Sequence, residues 1–394
     1  MKNIFRQVDV ERVIRHVTEL INIQDTAGDT VGIAALYETL LKQAGFSVER
    51  YELIPNNPTL VGRYQGHTNT KGKTLLFNGH MDVIPLDHKP PLVKDGKIYG
   101  RGACDMKGSL ASILEVGRIL KTTQSAIDGD IVVIANSMHE SPGGRGEDLI
   151  KLVESAKVKA DAAIVMEGAT YDCTIAQLGS ATFNITIERE GEPSHQLYTS
   201  SEAPHPITVL SDVIKALDQD NEKLKEVTIE DIGHGSYFIG NVQSGAFYNQ
   251  MPKHATLEGV RRYGPVESFD EVKQQMMQVL NHVAAKHDVD ISLDMKKVRD
   301  GYRIQKNELA VTSLQRAVKK VRGIDLPPVG KKLVTDAGIF AKDMGIPTVC
   351  YGPDQRKAHS EVEYVEINEL EKSIQVYLQF IHEYLGIKSG IASG

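Results

Sequence analysis

Residues 10–21 place Val10, Val13, Ile14, Val17, Leu20 and Ile21 on one face of a 3.6-residue repeat, with Asp9 at the capping position, and so predict an amphipathic surface helix. Four later runs are mainly apolar and do not alternate: Thr74–Phe77, Ile131–Ile134, Ala162–Val165 and Thr348–Tyr351. Runs that do not alternate bury both faces, as strands of a parallel sheet do, and helical patterns separate them as βαβ crossovers require. One such helix is predicted over 106–120, with Leu110, Ile113, Leu114 and Leu120 on one side.

Near residue 178 the period changes. Ala181, Phe183, Ile185 and Ile187 alternate with Thr182, Asn184, Thr186 and Glu188, the pattern of a strand with one wet face. A helix over 206–217, strands over 237–242 and 255–262, a capping box at Ser268-Phe-Asp-Glu271 ahead of a helix, and a last strand holding Val289, Ile291 and Leu293 complete the order β-α-β-β-α-β. The expected architecture is α/β: a mainly parallel-sheet domain from 1–177 and 297–394, with a ferredoxin-like α+β domain inserted at 178–296. The Ser/Gly-rich end 388–394 is expected to be loose, and no internal repeat is evident.

At 394 residues, 41% hydrophobic and 25% charged, the chain is long enough for two or three folding units. Its 45 Lys+Arg and 52 Asp+Glu give a formal charge of −7, and the basic residues form no stripe, so a nucleic-acid partner is not expected and a small-molecule substrate is. Cys104, Cys173 and Cys350 are too few and too far apart for a disulfide framework, which suits reduced thiols in a cytoplasmic setting. The first residues lack the apolar core of a secretory signal, and no run of 18 apolar residues predicts a membrane span.

The chemistry gathers where the parallel-type strands end. His80, Glu140, Glu167 and, after a longer loop, His359 each follow one of the four runs. That edge is where open α/β sheets bind ligands. Imidazole and carboxylate donors suit zinc, manganese or cobalt. A single loop His or Glu is usually an ordinary packed or solvated residue. Four of them at four strand ends, three beside Gly-rich turns that let backbone approach a ligand, make a metal centre the better reading. Asp82, two residues past His80, is placed to fix the other ring nitrogen of that imidazole. The chain lacks a G-x-S-x-G elbow, a G-x-x-x-x-G-K-[ST] loop and an H-E-x-x-H helix, and Gly100-Arg-Gly102 lacks the third glycine of a dinucleotide loop.

Gly79-His-Met-Asp82 and Gly100-Arg-Gly-Ala-Cys-Asp-Met-Lys-Gly108, supported by Thr335-Asp-Ala337 and Ala358-His-Ser-Glu-Val-Glu-Tyr-Val365, resemble the metal-dependent amidohydrolases and exopeptidases. That family includes acetylornithine deacetylase, succinyl-diaminopimelate desuccinylase, aminoacylase and carboxypeptidase G-type enzymes. The resemblance implies a metal-binding α/β domain with an inserted lid that mediates homodimerisation. It makes His80 and Glu167 ligands of one divalent cation, Asp105 a bridge between two, and His359 a ligand of the second. The family's Asp-Glu-Glu triplet supplies a general base and then a ligand of the second metal, and this chain has His139-Glu140-Ser141 there. Aligned without a gap, Glu140 is the base and Ser141 replaces the ligand, which leaves one tight metal and a second site short of a donor. Shifted by one residue, Glu140 is the ligand and His139 the base. Pro193-Ser-His195 resembles the segment whose His reaches the partner subunit's active site, and Asn249 and Arg262 resemble substrate-binding positions. The implied reaction is hydrolysis of an N-acyl amino acid or a related amide. A dipeptidase or carboxypeptidase shares this centre, and Ser141 motivates a third reading, a metal- and ligand-binding homologue without turnover.

Overall fold

A computed structural model of the chain describes residues 1–66, 72–87, 89–140, 144–155, 157–168 and 170–388. The chain divides into two compact units: 1–175 with 304–329 and 335–394, and 176–303 with 330–334. The elements that matter for the site and for the second unit are, in chain order, β1 (Lys73–His80), α1 (Gly108–Thr122), β2 (Gly129–Asn136), β3 (Ala162–Val165), β4 (Gly179–Glu188), α2 (Pro206–Glu226), β5 (Ser236–Ser244), β6 (His254–Tyr263), α3 (Phe269–His287), β7 (Asp290–Arg299), β8 (Thr348–Cys350) and α4 (Ile367–Tyr384).

The first unit is built on a mixed sheet whose centre is parallel. Strands β2, β1, β3 and β8 lie side by side in that order, with Phe77 opposite both Val133 and Ile164, and Ile164 opposite Val349. Antiparallel strands Asn57–Tyr64 and Ser47–Ile54 extend it beyond β2, and Cys173–Gln177 pairs antiparallel beyond β8. The four central strands are the four unbroken apolar runs, and Leu75, Phe77, Ile131, Val133, Ala162, Ile164 and Val349 are all buried. Helix α1 packs on this layer with Leu110, Ile113, Leu114, Val116, Ile119 and Leu120 buried, and Tyr37 donates its hydroxyl hydrogen to the Leu110 carbonyl at 3.0 Å. From α4, Tyr377 and Phe380 meet Phe77 edge to face, with ring centroids 5.6 and 6.5 Å apart. Each such side chain contributes about 1.5–3 kcal/mol through burial, so this layered core holds the strand ends rigidly.

Helix α1 begins at Gly108, two residues later than the apolar repeat suggests, because Ala103–Lys107 forms a wide turn with extended dihedrals at Asp105 (φ −131°, ψ 85°). Gly102 enters that turn at φ 82°, a left-handed conformation that a Cβ would penalise. The turn carries the Asp105 carboxylate to the sheet edge instead of winding it into the helix.

The second unit is ferredoxin-like. Strands β5, β6, β4 and β7 form one antiparallel sheet in that order, and α2 and α3 supply the two crossovers. Ala181, Phe183, Ile185 and Ile187 share a core with Val209, Val213 and Leu217 of α2 and Met276 and Leu280 of α3. Ser268 caps α3 in a reciprocal capping box with Glu271. Among the described residues, no helix is long and apolar enough to cross a membrane.

Candidate metal centre

His80 is the last residue of β1, His139 and Glu140 follow β2, Glu167 follows β3, and His359 lies in the loop after β8. All four parallel strands thus deliver donors to one edge. The wide turn before α1 adds Asp105.

The carboxylate of Asp105 is the hub. Its Oδ1 lies 3.2 Å from His80 Nε2 and its Oδ2 lies 3.2 Å from His359 Nε2. On the His80 side, His80 Nε2 is 3.8 Å from Glu167 Oε2. On the other side, His359 Nε2 is 3.0 Å from Glu140 Oε1. One carboxylate therefore faces two separate donor groups, one oxygen to each. His359 is held at φ 60°, a left-handed conformation that costs a side-chain-bearing residue about 1–2 kcal/mol.

The charges around these imidazoles are unusually concentrated. Burial by itself would push His80 down, but the carboxylates of Asp105, Asp82 and Glu167 outweigh it and raise the imidazole well above its ordinary value. Contacts with Asp105 and Glu140 raise His359 to about 10. Burial also opposes the charged form of His139, and the nearby Asp336 and Glu167 carboxylates overcome it to leave the ring at about 9. Conversely, burial would raise Asp105, and the His359 and His80 rings hold it well below the carboxylate range instead. A field that keeps protons on three imidazoles is one that divalent cations would satisfy in their place. Glu167 Oε1 is buried with no hydrogen-bond partner among the described residues, an arrangement that is costly without a cation to receive it. Two donor sets, His80 with His139 and Glu167, and His80 with Asp105 and Glu140, each have ligand atoms within 4.8 Å of one another. The residues present fit divalent metal.

Asp82 acts on His80 differently from the sequence expectation. His80 Nδ1 lies 2.9 Å from the Asp82 backbone oxygen and 3.6 Å from its carboxylate, so the backbone makes the closer contact. The Asp82 side chain is engaged elsewhere, accepting from the backbone N–H groups of His139 (3.1 Å) and Glu140 (2.8 Å). It thereby anchors the start of the loop that carries both residues. Gly144 closes that loop: a Cβ there would lie 2.2 Å from the Glu140 carbonyl oxygen. Ser141 lies outside the described residues.

Three further residues hold the centre and were not assigned roles from the sequence. The buried Glu363 carboxylate accepts from the Cys104 and Asp105 N–H groups at 3.1 and 3.2 Å and pairs with Arg101 at 2.9 Å, clamping the turn that carries Asp105. Gln355 accepts from the Gly168 N–H at 2.5 Å and donates to Asp105 Oδ1 at 3.3 Å, tying the Glu167 loop to that turn. Asp336 lies 3.1 Å from His139 Nδ1. Glu363 and Asp336 stand inside quoted motifs, whereas Gln355 carries no local signal.

Of the remaining expected site residues, His195, Asn249 and Arg262 belong to the second unit. His195 Nδ1 accepts from the Leu197 N–H at 3.2 Å, and its Nε2 lies 3.2 Å from the Asn249 Nδ2 amide nitrogen. Arg262 lies on β6, half-buried, with its Nη1 making no hydrogen bond among the described residues, and burial lowers its pKa.

The signature of peptidase family M20/M25/M40 matches residues 76–383. The chain belongs to this family. Along nearly its full length, the M20-family chain is 26% identical to a succinyl-diaminopimelate desuccinylase of Rickettsia bellii, over 94% of this chain and 96% of that protein. It is 27% identical to an N-formyl-4-amino-5-aminomethyl-2-methylpyrimidine deformylase of Halalkalibacterium halodurans, over 92% and 91% respectively. Aminopeptidase PepT from Bacillus cereus shares the fold with a TM-score of 0.81 at 20% identity, over 96% of this chain and 99% of that one. The protein is a metal-dependent amidohydrolase or exopeptidase, and the resemblance read from Gly79–Asp82 and Gly100–Gly108 stands.

Proposed function

We propose that this M20-family protein is a deacylase that hydrolyses the amide bond of an N-acyl amino acid or a related small, carboxylate-bearing amide at a two-cation centre. The observation that carries the reading is the divided Asp105 carboxylate, with Oδ1 toward His80 and Oδ2 toward His359. His80, Asp105 and Glu167 would hold one cation, and Asp105, Glu140 and His359 the other, with zinc preferred by this nitrogen and oxygen set. Of the two alignments that the sequence leaves open, the 3.0 Å contact between Glu140 and His359 favours the shifted one. Glu140 then supplies the carboxylate that Ser141 does not, and His139 carries the proton.

Cations held by these residues would supply Lewis-acid polarisation of the scissile carbonyl and would lower the pKa of water from about 15.7 toward about 7. His139 Nε2 would take a proton from the attacking water and pass it to the leaving amine nitrogen. The Asp336 and Glu167 carboxylates that raise this ring to about 9 would be countered by cations held beside them. In a homodimer, His195 of a second copy would donate from Nε2–H to the developing oxyanion. Arg262 and Asn249 would grip the substrate carboxylate, for which a guanidinium fork is suited. The deacylase reading is preferred to a dipeptidase or carboxypeptidase because a desuccinylase and a deformylase are similar over more than nine-tenths of this chain.

The test is a panel of N-acyl amino acids, N-formyl amines and dipeptides, assayed with zinc, manganese and cobalt and with a chelator. Chelator-sensitive release of an acyl group with little dipeptide cleavage is expected. Dipeptide cleavage alone would make the protein a peptidase, and no turnover with any metal would favour a binding homologue.

A further inference from the structure

The wide turn before α1 brings Asp105 to the sheet edge, but nothing within the side chain decides which way its oxygens face. The last torsion of an aspartate is broad and nearly two-fold, so the division of Oδ1 and Oδ2 between two donor groups needs a contact from outside. His80 Nε2 and His359 Nε2 each face one oxygen. A cation held by either imidazole would take the lone pair of that ring nitrogen, and the nitrogen could then make no hydrogen bond to Asp105. Among the described residues, the hydrogen bond to this carboxylate that would persist comes from Gln355.

The amide of Gln355 is engaged at both ends. Its Oε1 accepts from the Gly168 N–H at 2.5 Å, and its Nε2 donates to the Cys104 carbonyl at 3.2 Å and to Asp105 Oδ1 at 3.3 Å. These partners fix its orientation: turned over, its NH2 group would meet the Gly168 N–H and its oxygen would meet two further acceptors. The backbone around it is pinned as well. The Ala358 N–H donates to the Gln355 carbonyl at 2.8 Å and the Arg356 N–H to Asp354 Oδ1 at 2.9 Å, so a tight turn separates Gln355 from His359. A Cβ on Gly352 would lie 2.2 Å from the Met166 carbonyl oxygen, so the loop after β8 lies directly on the backbone that leads to Glu167. One side chain thus joins the turn of Asp105, the loop of Glu167 and the loop of His359.

We propose that Gln355 is a positioning residue for Asp105: its Nε2–H holds Oδ1 on the His80 side and leaves Oδ2 to face His359, so that the carboxylate is set to bridge two cations before either arrives. Holding the Cys104 carbonyl from the same nitrogen fixes the main chain and the carboxylate of this turn together. Hydrogen-bond partners of metal ligands orient them in this way, and losing one weakens metal binding about 10–100-fold. The inference rests on the two-cation reading above.

The test uses Gln355→Met, which keeps the length of the side chain and removes donor and acceptor, and Gln355→Asn, which keeps the amide but is one methylene too short to span its partners. Folding is checked by circular dichroism, and manganese is the probe. Wild type is expected to bind two manganese ions per chain and to give an exchange-coupled electron paramagnetic resonance spectrum. Both variants should bind the second ion about 10–100-fold more weakly and, when saturated, lose the coupled signal in favour of isolated ions. In zinc-loaded wild type labelled with 15N-glutamine, the Gln355 side-chain NH2 should be protected from exchange with solvent. Free exchange there overturns the proposal without reference to any variant. Coupled spectra and second-ion affinities within twofold of wild type in the folded variants overturn it alone, whereas a wild-type chain that holds one manganese overturns the two-cation reading and takes this proposal with it.

Discussion

Glu140→Gln separates the two alignments most cleanly. Glu140 is 5% exposed and its Oε1 sits 3.0 Å from His359 Nε2, so the amide occupies the same volume and only the charge is lost. A pair of unit charges about 4 Å apart at an effective dielectric of about 20 is worth about 4 kcal/mol, and a divalent cation doubles that. Dehydrating the carboxylate and the cation takes back several kcal/mol. A net loss of about 3–4 kcal/mol corresponds to about 10²–10³-fold weaker binding of the cation held with His359. The cation held by His80, Asp105 and Glu167 should be little affected, because none of those side chains is altered. Elemental analysis after dialysis against a dilute chelator should therefore find two metals per wild-type chain and one in Glu140→Gln, with a competing chromophoric chelator reading the affinity change. His139→Gln should retain both metals and lose turnover. A Glu140→Gln protein that holds two metals as tightly as wild type and is inactive would refute the assignment, making Glu140 the proton carrier and restoring the ungapped alignment.

Glu363→Ala strands the buried Arg101 guanidinium and frees the Cys104 and Asp105 N–H groups, so urea denaturation should show a loss of about 3–5 kcal/mol, and a change below 1 kcal/mol would deny the clamp. Burial raises Asp148 to about 6, against an unfolded value of about 3.9, so the folded chain holds this proton more tightly and the group's stabilising contribution is lost as pH rises through about 6. Asp148→Asn should therefore gain on wild type in thermal denaturation between pH 4 and 6, by at most about 3 kcal/mol, and a gap independent of pH would exclude Asp148 as the cause. Chains carrying His139→Gln and chains carrying His195→Ala should each be nearly inactive, yet co-refolded mixtures should recover about a quarter of wild-type activity if a second copy supplies His195. No recovery in verified heterodimers would remove that role from His195.

Period and composition carry far in this chain. Unbroken apolar runs at 74–77, 131–134, 162–165 and 348–351 specify strands buried on both faces, and these are the parallel centre of the sheet. Alternation from Ala181 to Glu188 specifies a strand with one wet face, and it pairs in an antiparallel sheet. These are short-range properties, dictated by which side of a strand or helix each residue occupies, so they can be read without knowing the fold. The donor types at the strand ends, His80, Glu140, Glu167 and His359, are local in the same sense.

What neighbours what is another matter. The division of the Asp105 oxygens between His80 and His359 requires a turn, entered at Gly102, that departs from the helical repeat. The contact of Glu140 with His359 joins residues 219 apart, that of Asn136 with Asp336 joins residues 200 apart, and that of Glu363 with Cys104 joins residues 259 apart. No periodicity encodes these pairings, because they depend on strand order and on how far each loop carries its side chain. The sequence alone could therefore determine the sheet and the kinds of donor at its edge. Only the tertiary structure could place Asp336 behind His139 and Glu140 beside His359, because those contacts exist only once strands distant in the chain lie side by side.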